Sequence, residues 1–165
     1  MRALAPVVTI LALLPGPGPA YAQDVAQTAA DASQAAPARP QPRTGDAWID
    51  ARLLDMDDYA ARHGDAFVDE IVRYHEAPRA LVEGALAGGA MRPGDVYFAC
   101  ALAQATGRSC RTVLDARRED PAAGWDAIAA QLDVAPAVYR RIRGDITESY
   151  VRWARPLDSG ASSPP

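Results

Sequence analysis

"RPGDVYFACALAQATGRSC", residues 92–110, decides how this chain folds. Arg92-Pro93-Gly94 leads into a helix expected to start at Asp95, and Gly107 is the residue that stops it. Between them, apolar residues stand on nearly every face through Ala105. A helix without a polar face belongs in the middle of a bundle, because no side of it gains from contact with water. The rest of the chain must therefore supply helices to surround it.

Upstream, Asp46 can cap a helix with Ile49, Leu53, Met56 and Ala60 at helical spacing, ending at Gly64. Asp65 is read as the cap of a second, with Phe67, Ile71 and Tyr74 on one face. Pro78 suits the first turn of a third, "PRALVEGAL", closed by Gly88-Gly89. Downstream, Ser109 can cap a fifth helix that ends before Pro121. A sixth runs from about Gly124 to Leu132, with Trp125, Ile128 and Leu132 on one side. Pro136 opens a seventh, which Gly144 is expected to close. Asp145 and Glu148 then have the spacing of a capping box for a last helix, with Ile146, Tyr150 and Trp153 toward the core. No run of alternating β-branched residues appears, so the expected fold is all-α. It is a compact array of seven or eight short helices over residues 46–156, with Trp48, Trp125 and Trp153 anchoring one core.

The ends read differently. "MRALAPVVTILALLPGPGPAYAQ" has the basic start, apolar run and Ala20-Tyr21-Ala22 close of a secretory signal peptide, residues 1–22, with cleavage after Ala22. The apolar run ends at Leu14, short of the roughly 20 residues that span a bilayer, so no membrane anchor is expected after cleavage. Residues 23–45 are rich in Ala, Gln, Ser and Pro without periodicity, and are read as a disordered tether; the tail at 157–165 reads the same way. The expected location is periplasmic or secreted. The net charge of −4 brings no general attraction to nucleic acid. All 17 basic residues are Arg, so there is no Lys for a Schiff base, and no Asn to carry an N-glycan.

Cys100 and Cys110 are the two cysteines. They could be a structural bridge, two separate thiols, or a metal or redox pair. In an exported chain the bridge is favoured. Cys100 lies about two turns before its helix ends, roughly 9 Å by helical rise, and a short turn can fold Cys110 back over that distance. A loop of this size would contribute about 2.5–3 kcal/mol in the chain-entropy treatment. The C-x9-C spacing is not the C-x-x-C of a thioredoxin-like site, and His63 and His75 stand too far upstream to complete a zinc site.

Other motifs point to function less directly. "WDAIAAQLDVAPAVYRRI", residues 125–142, resembles the helix-turn-helix pattern of DNA-binding proteins. Ile128-Ala129, Leu132 and Val134 match it, and Arg140, Arg141 and Arg143 lie on the second helix. Asp133 replaces the usual turn glycine. Export and the lack of basic excess favour a plain αα-hairpin, so no nucleic acid is expected as a partner. Arg143-Gly144-Asp145 reads as a helix stop followed by a cap. Candidate acids are Glu70, Glu76, Glu83 and Glu148; His75 suits a helix C-terminus. Asp55, Asp57 and Asp58 lack the glycine and later Glu of a calcium loop and read as a solvated helix face. No nucleophile elbow, zinc-protease motif, P-loop or dinucleotide fingerprint occurs. No catalytic, metal or cofactor residue is assigned.

"AFVDEIVRYHEAPRALV", "RPGDVYFACALAQATGRSC" and "GWDAIAAQL" together look like a group of uncharacterised, exported, proteobacterial helical proteins. The likeness covers about residues 66–132. It implies an all-helical fold and an envelope location, with no activity or site residue. The leading expectation is a non-enzymatic envelope module that binds an unknown envelope protein or component. The rival is an envelope hydrolase with a carboxylate general acid such as Glu70 or Glu148. Helix-turn-helix DNA binding is third.

Overall fold

The structure, a computed structural model, describes residues 41–89 and 91–157. The expected signal peptide with its cleavage at Ala22, most of the leader, and residues 158–165 lie outside the described residues. Within them the chain is all-α, with no strand. The helices are α1 (Ala47–Arg62), α2 (Gly64–Tyr74), α3 (Arg79–Leu86), α4 (Pro93–Thr106), α5 (Cys110–Glu119), α6 (Trp125–Gln131) and α7 (Ala137–Arg152). A 3-10 turn, Ala87–Gly89, follows α3.

Helix α4 is the centre, and every residue from Gly94 to Ala103 is buried. It packs chiefly against α5, α1 and α7, with α3 also in contact. Pro93 occupies the first turn, where its missing N–H has no intrahelical role. Gly107 ends the helix in the left-handed conformation, at φ 70°, and the Arg108 N–H closes back on the Ala103 carbonyl at 2.8 Å. Gly94 is where α1 comes closest: a Cβ there would stand 2.4 Å from the Leu53 carbonyl oxygen. Asp57 Oδ1 of α1 accepts the Gly94 N–H at 2.8 Å, fixing that crossing.

Local caps behave as the sequence dictates at two sites. Asp46 accepts from the Trp48 and Ile49 N–H groups at 3.0 and 3.2 Å, and Ser109 Oγ accepts from Thr112 at 3.1 Å. At two others the expectation needs correcting. Helix α2 begins at Gly64 with His63 at the cap and no side-chain cap bond, so Asp65 lies in the first turn, where its charge still favours the helix dipole. The expected seventh and eighth helices are one. Gly144 does not stop α7, and Asp145 and Glu148 form no capping box. Ile142, Ile146, Ser149 and Tyr150 lie on one buried stripe, and that burial outweighs the roughly 1 kcal/mol cost of a mid-helix glycine. Arg143-Gly144-Asp145 is therefore helical.

The hydrophobic core is continuous. Trp125 is fully buried in it, while Trp48 and Trp153 pack on its edge. Trp153 stacks on Tyr59, with centroids 4.3 Å apart, and also meets Phe67, Tyr97 and Tyr150. Residues 42–45, assigned to the leader by composition, belong to the packed part. The Trp125 and Asp126 N–H groups at the start of α6 donate to the Pro42 and Arg43 carbonyls at 3.2 and 2.8 Å. Thr44 is buried, its hydroxyl and N–H both donating to Asp50 Oδ1.

Two glycines should respond oppositely to a methyl group. Nothing lies within 4 Å of a Cβ at Gly144, so Gly144→Ala is expected to stabilise by about 0.8–1 kcal/mol in chemical denaturation. Gly94→Ala should destabilise by about 2–3 kcal/mol, because backbone stands in the way.

Candidate functional site

Two polar side chains of α4, Asp95 and Tyr97, are buried, and each is answered by another helix. Asp95 accepts from the Trp125 indole N–H of α6 at 2.7 Å and from Arg92 Nε at 3.1 Å. Tyr97 is bonded to Ser149 Oγ of α7 at 2.8 Å, and Ser149 Oγ in turn lies 2.7 Å from Glu70 Oε1 of α2. Burial pushes the Tyr97 hydroxyl far above its ordinary range, so it remains a donor. The order is Tyr97 to Ser149 to Glu70, each donating to the next.

Glu70 is 4% exposed and lies at the outer end of this chain. Arg152 closes it from outside: its Nε donates to both carboxylate oxygens, at 2.9 and 3.1 Å. The Arg152 guanidinium lies 3.7 Å from the centre of the Tyr74 ring, a cation–π contact. Tyr74 was expected on the core-facing side of its helix. It is instead 44% exposed, because it is the last residue of α2 and reaches past the core. Asp69, Arg73, Tyr74 and Arg152 rim a shallow depression of about 310 Å3, with Glu70 and Trp153 at its base. Nothing in the sequence pairs Tyr74 with Arg152, so this face was missed there.

The other candidate residues do not converge. Glu148 is 72% exposed and reaches only Arg152, at 3.4 Å. Glu83 pairs with Arg79 at 3.3 Å, and Glu76 is exposed. The acidic trio of α1 is not a solvated face. Asp55 accepts from the Tyr150 hydroxyl and from Arg155, while Asp57 holds Gly94. These are bonds to different helices, which spacing along α1 does not reveal. No group of three or more His, Cys, Asp or Glu able to hold a metal occurs among the described residues. In the 125–142 hairpin, Asp133 adopts the left-handed turn conformation, at φ 52°, in the glycine's place. Arg143 is tied to Asp46 at 2.7 Å, while Arg140 and Arg141 are exposed. Cys100 and Cys110 stand at disulfide distance, with Cα atoms 4.4 Å apart.

His75, the residue after Tyr74, is buried at the C-terminus of α2. Its Nδ1 meets Gln104 Oε1 at 3.2 Å, so Nδ1 carries the proton and Nε2 is bare. Nε2 and Asp145 Oδ2 are both buried without a hydrogen-bond partner. Burial lowers the imidazole's affinity for a proton, opposed by Gln104, Asp145 and Glu70. Burial raises the Asp145 carboxyl, opposed first by His75.

Family models, curated proteins and solved structures give no match to this chain.

Two outcomes follow from this network. Arg152→Ala leaves Glu70 buried with a single donor, and should cost about 2–3 kcal/mol of unfolding free energy. Glu148→Ala, at the exposed arm, should change it by less than about 0.5 kcal/mol. His75 is held below its unfolded value of about 6.5, so the unfolded chain takes up this proton first as pH falls. The stability it contributes is complete above that value and is lost below it, toward the folded value. Thermal melts from about pH 7.5 to about pH 5.5 should therefore show wild type losing stability faster than His75→Gln.

Proposed function

We propose that this chain is a non-enzymatic, exported helical module of the bacterial envelope. It binds an envelope protein or component through the face formed by Tyr74, Arg73 and Arg152. The observation that carries the reading is Tyr74 itself: a large aromatic ring held out at the end of α2, backed by an arginine that cannot move freely. Tyr and Arg are enriched at interfaces because each combines apolar area with directional polar contacts. A ring pinned by Glu70 through Arg152 loses little conformational freedom on binding.

The face also supports this reading over a hydrolase. A general acid needs an open route to its substrate and a proton to give. Glu70 is closed off by three Arg152 bonds and the Ser149 hydroxyl, and Glu148 sits in open solvent. The signal-like N-terminus, the cysteine pair at disulfide distance, and the likeness over residues 66–132 to exported helical proteins support the envelope location.

Site-specific photocrosslinking tests the proposal. A photoreactive phenylalanine analogue at position 74, in the native host, should give discrete adducts in the envelope fraction. The recovered chain should begin at Gln23, and Arg73→Ala should reduce the yield several-fold. The same analogue at the exposed Arg118 of α5 should give none. Equal adducts at both positions, or none at 74, would end the case for this face.

A further inference from the structure

The two cysteines sit in unlike surroundings. Cys100 is 0% exposed, in the middle of α4. Cys110 is 7% exposed and is the first residue of α5. Its side of the pair forms part of the wall of a cavity of about 280 Å3, shared with Arg108, Ser109, Arg111, Gln104 and His75.

Three features at that wall favour negative charge on the Cys110 sulfur. The N–H groups of the first two residues of a helix, here Cys110 and Arg111, have no intrahelical acceptor. The next two are already used: Thr112 donates to Ser109 Oγ at 3.1 Å and Val113 to the Ser109 carbonyl at 3.4 Å. The helix dipole adds positive potential at this end. Arg108 and Arg111 both line this cavity, with Glu76 the one acid among its lining residues. Arg111 forms no ion pair among the described residues, whereas Arg108 is held by the Leu132 carbonyl at 2.7 Å. Cys100, enclosed by apolar side chains, has no such support, and burial there favours the neutral thiol.

We infer that Cys110 is the sulfur through which this chain exchanges with external disulfides, the oxidant approaching by way of the cavity at the start of α5. In the reduced chain the Cys110 thiolate attacks one sulfur of the oxidant's disulfide. A mixed disulfide forms at Cys110, and the oxidant's second sulfur leaves as a thiolate that takes a proton. Cys100 then gives up its proton and attacks the Cys110 sulfur, which the 4.4 Å Cα separation allows. The first oxidant sulfur departs as the second thiolate. Two thiols of this chain are oxidised and one disulfide of the oxidant is reduced. The partner class is thus a disulfide-bearing oxidant. This inference is independent of the Tyr74 face.

Oxidised glutathione is the probe. Reduced wild-type chain is mixed with it, quenched in acid at short times and mapped by peptide mass spectrometry. The adduct is expected on Cys110. In parallel, Cys100→Ala and Cys110→Ala chains are alkylated with iodoacetamide at neutral pH, with helicity checked by circular dichroism. Cys110 should react about tenfold faster than Cys100, as expected for a thiolate at the cavity wall and a helix N-terminus against a thiol in the helix interior. Adding Arg111→Ala to the Cys100→Ala chain should slow labelling about twofold or more. Glutathione found on Cys100, or equal labelling of the two single-cysteine chains, overturns the assignment. A rate indifferent to Arg111 overturns its electrostatic basis. If either alanine variant loses its helicity, the wild-type mapping decides.

Discussion

Enclosing α4 on all sides is the constraint that organises this molecule. A helix with ten consecutive buried residues brings ten backbone units out of water; its own hydrogen bonds satisfy most of them, and Asp57 of α1 takes the Gly94 N–H at its start. Its side chains need neighbours in every direction, which α1, α5 and α7 supply along their lengths. The closest of these crossings exists only because residue 94 has no side chain. The polar atoms α4 carries inward then become fixed points. Asp95 requires the Trp125 indole, and Tyr97 requires Ser149, so α6 and α7 are held in register by hydrogen bonds as well as by apolar contact.

The second of those fixed points reaches the surface. From Tyr97 the bonds pass to Ser149, Glu70 and Arg152, and end at the exposed ring of Tyr74. A buried carboxylate is tolerated only where donors surround it, and here the donors come from one direction in the core and another at the rim. The rim geometry is thereby set from inside the bundle. An arginine on a free surface samples many rotamers; Arg152 is restricted by a carboxylate on one side and a ring on the other.

What could be read from the sequence was what short-range chemistry decides. Asp46 and Ser109 cap because the donors they satisfy are two or three residues away, and Gly107 ends α4 because the left-handed conformation is a local preference. The all-round apolar character of residues 95–105 was enough to place α4 at the centre. Gly144 and Asp145 misled because their local preference for a break is worth about 1 kcal/mol, while the Ile142–Ile146–Tyr150 stripe gains several by burial. Asp55 and Asp57 looked solvated because their partners lie far along the chain, on α7 and α4. Thr44 looked like linker for the same reason: one hydrogen-bonded turn against Asp50 and α6 leaves no compositional trace. Tyr74 fell on the apolar period of α2, but the period does not say where the neighbouring helices stop.

Tyr74 and His75, adjacent in sequence, divide two environments. Tyr74 faces the depression shared with Arg152, and His75 belongs to the wall of the cavity that also contains Cys110. The end of α2 is thus a thin partition between a surface depression and the cavity beside the cysteines. Its inner side is held by Gln104 on α4, one turn from Cys100, and its outer side by Arg152 on α7. A bridge across Cys100 and Cys110 removes chain entropy from the unfolded state, on the order of 2.5–3 kcal/mol for a loop this short, and it fixes the start of α5 against the same stretch of α4. That amount is a sizeable part of the 5–15 kcal/mol by which a domain of ordinary size is stable. The turn of α4 that carries Ala103 and Gln104 is therefore braced from both sides, by the cysteine pair and by His75. The Tyr74 ring then stands on a support whose rigidity is set by α4 as much as by α2.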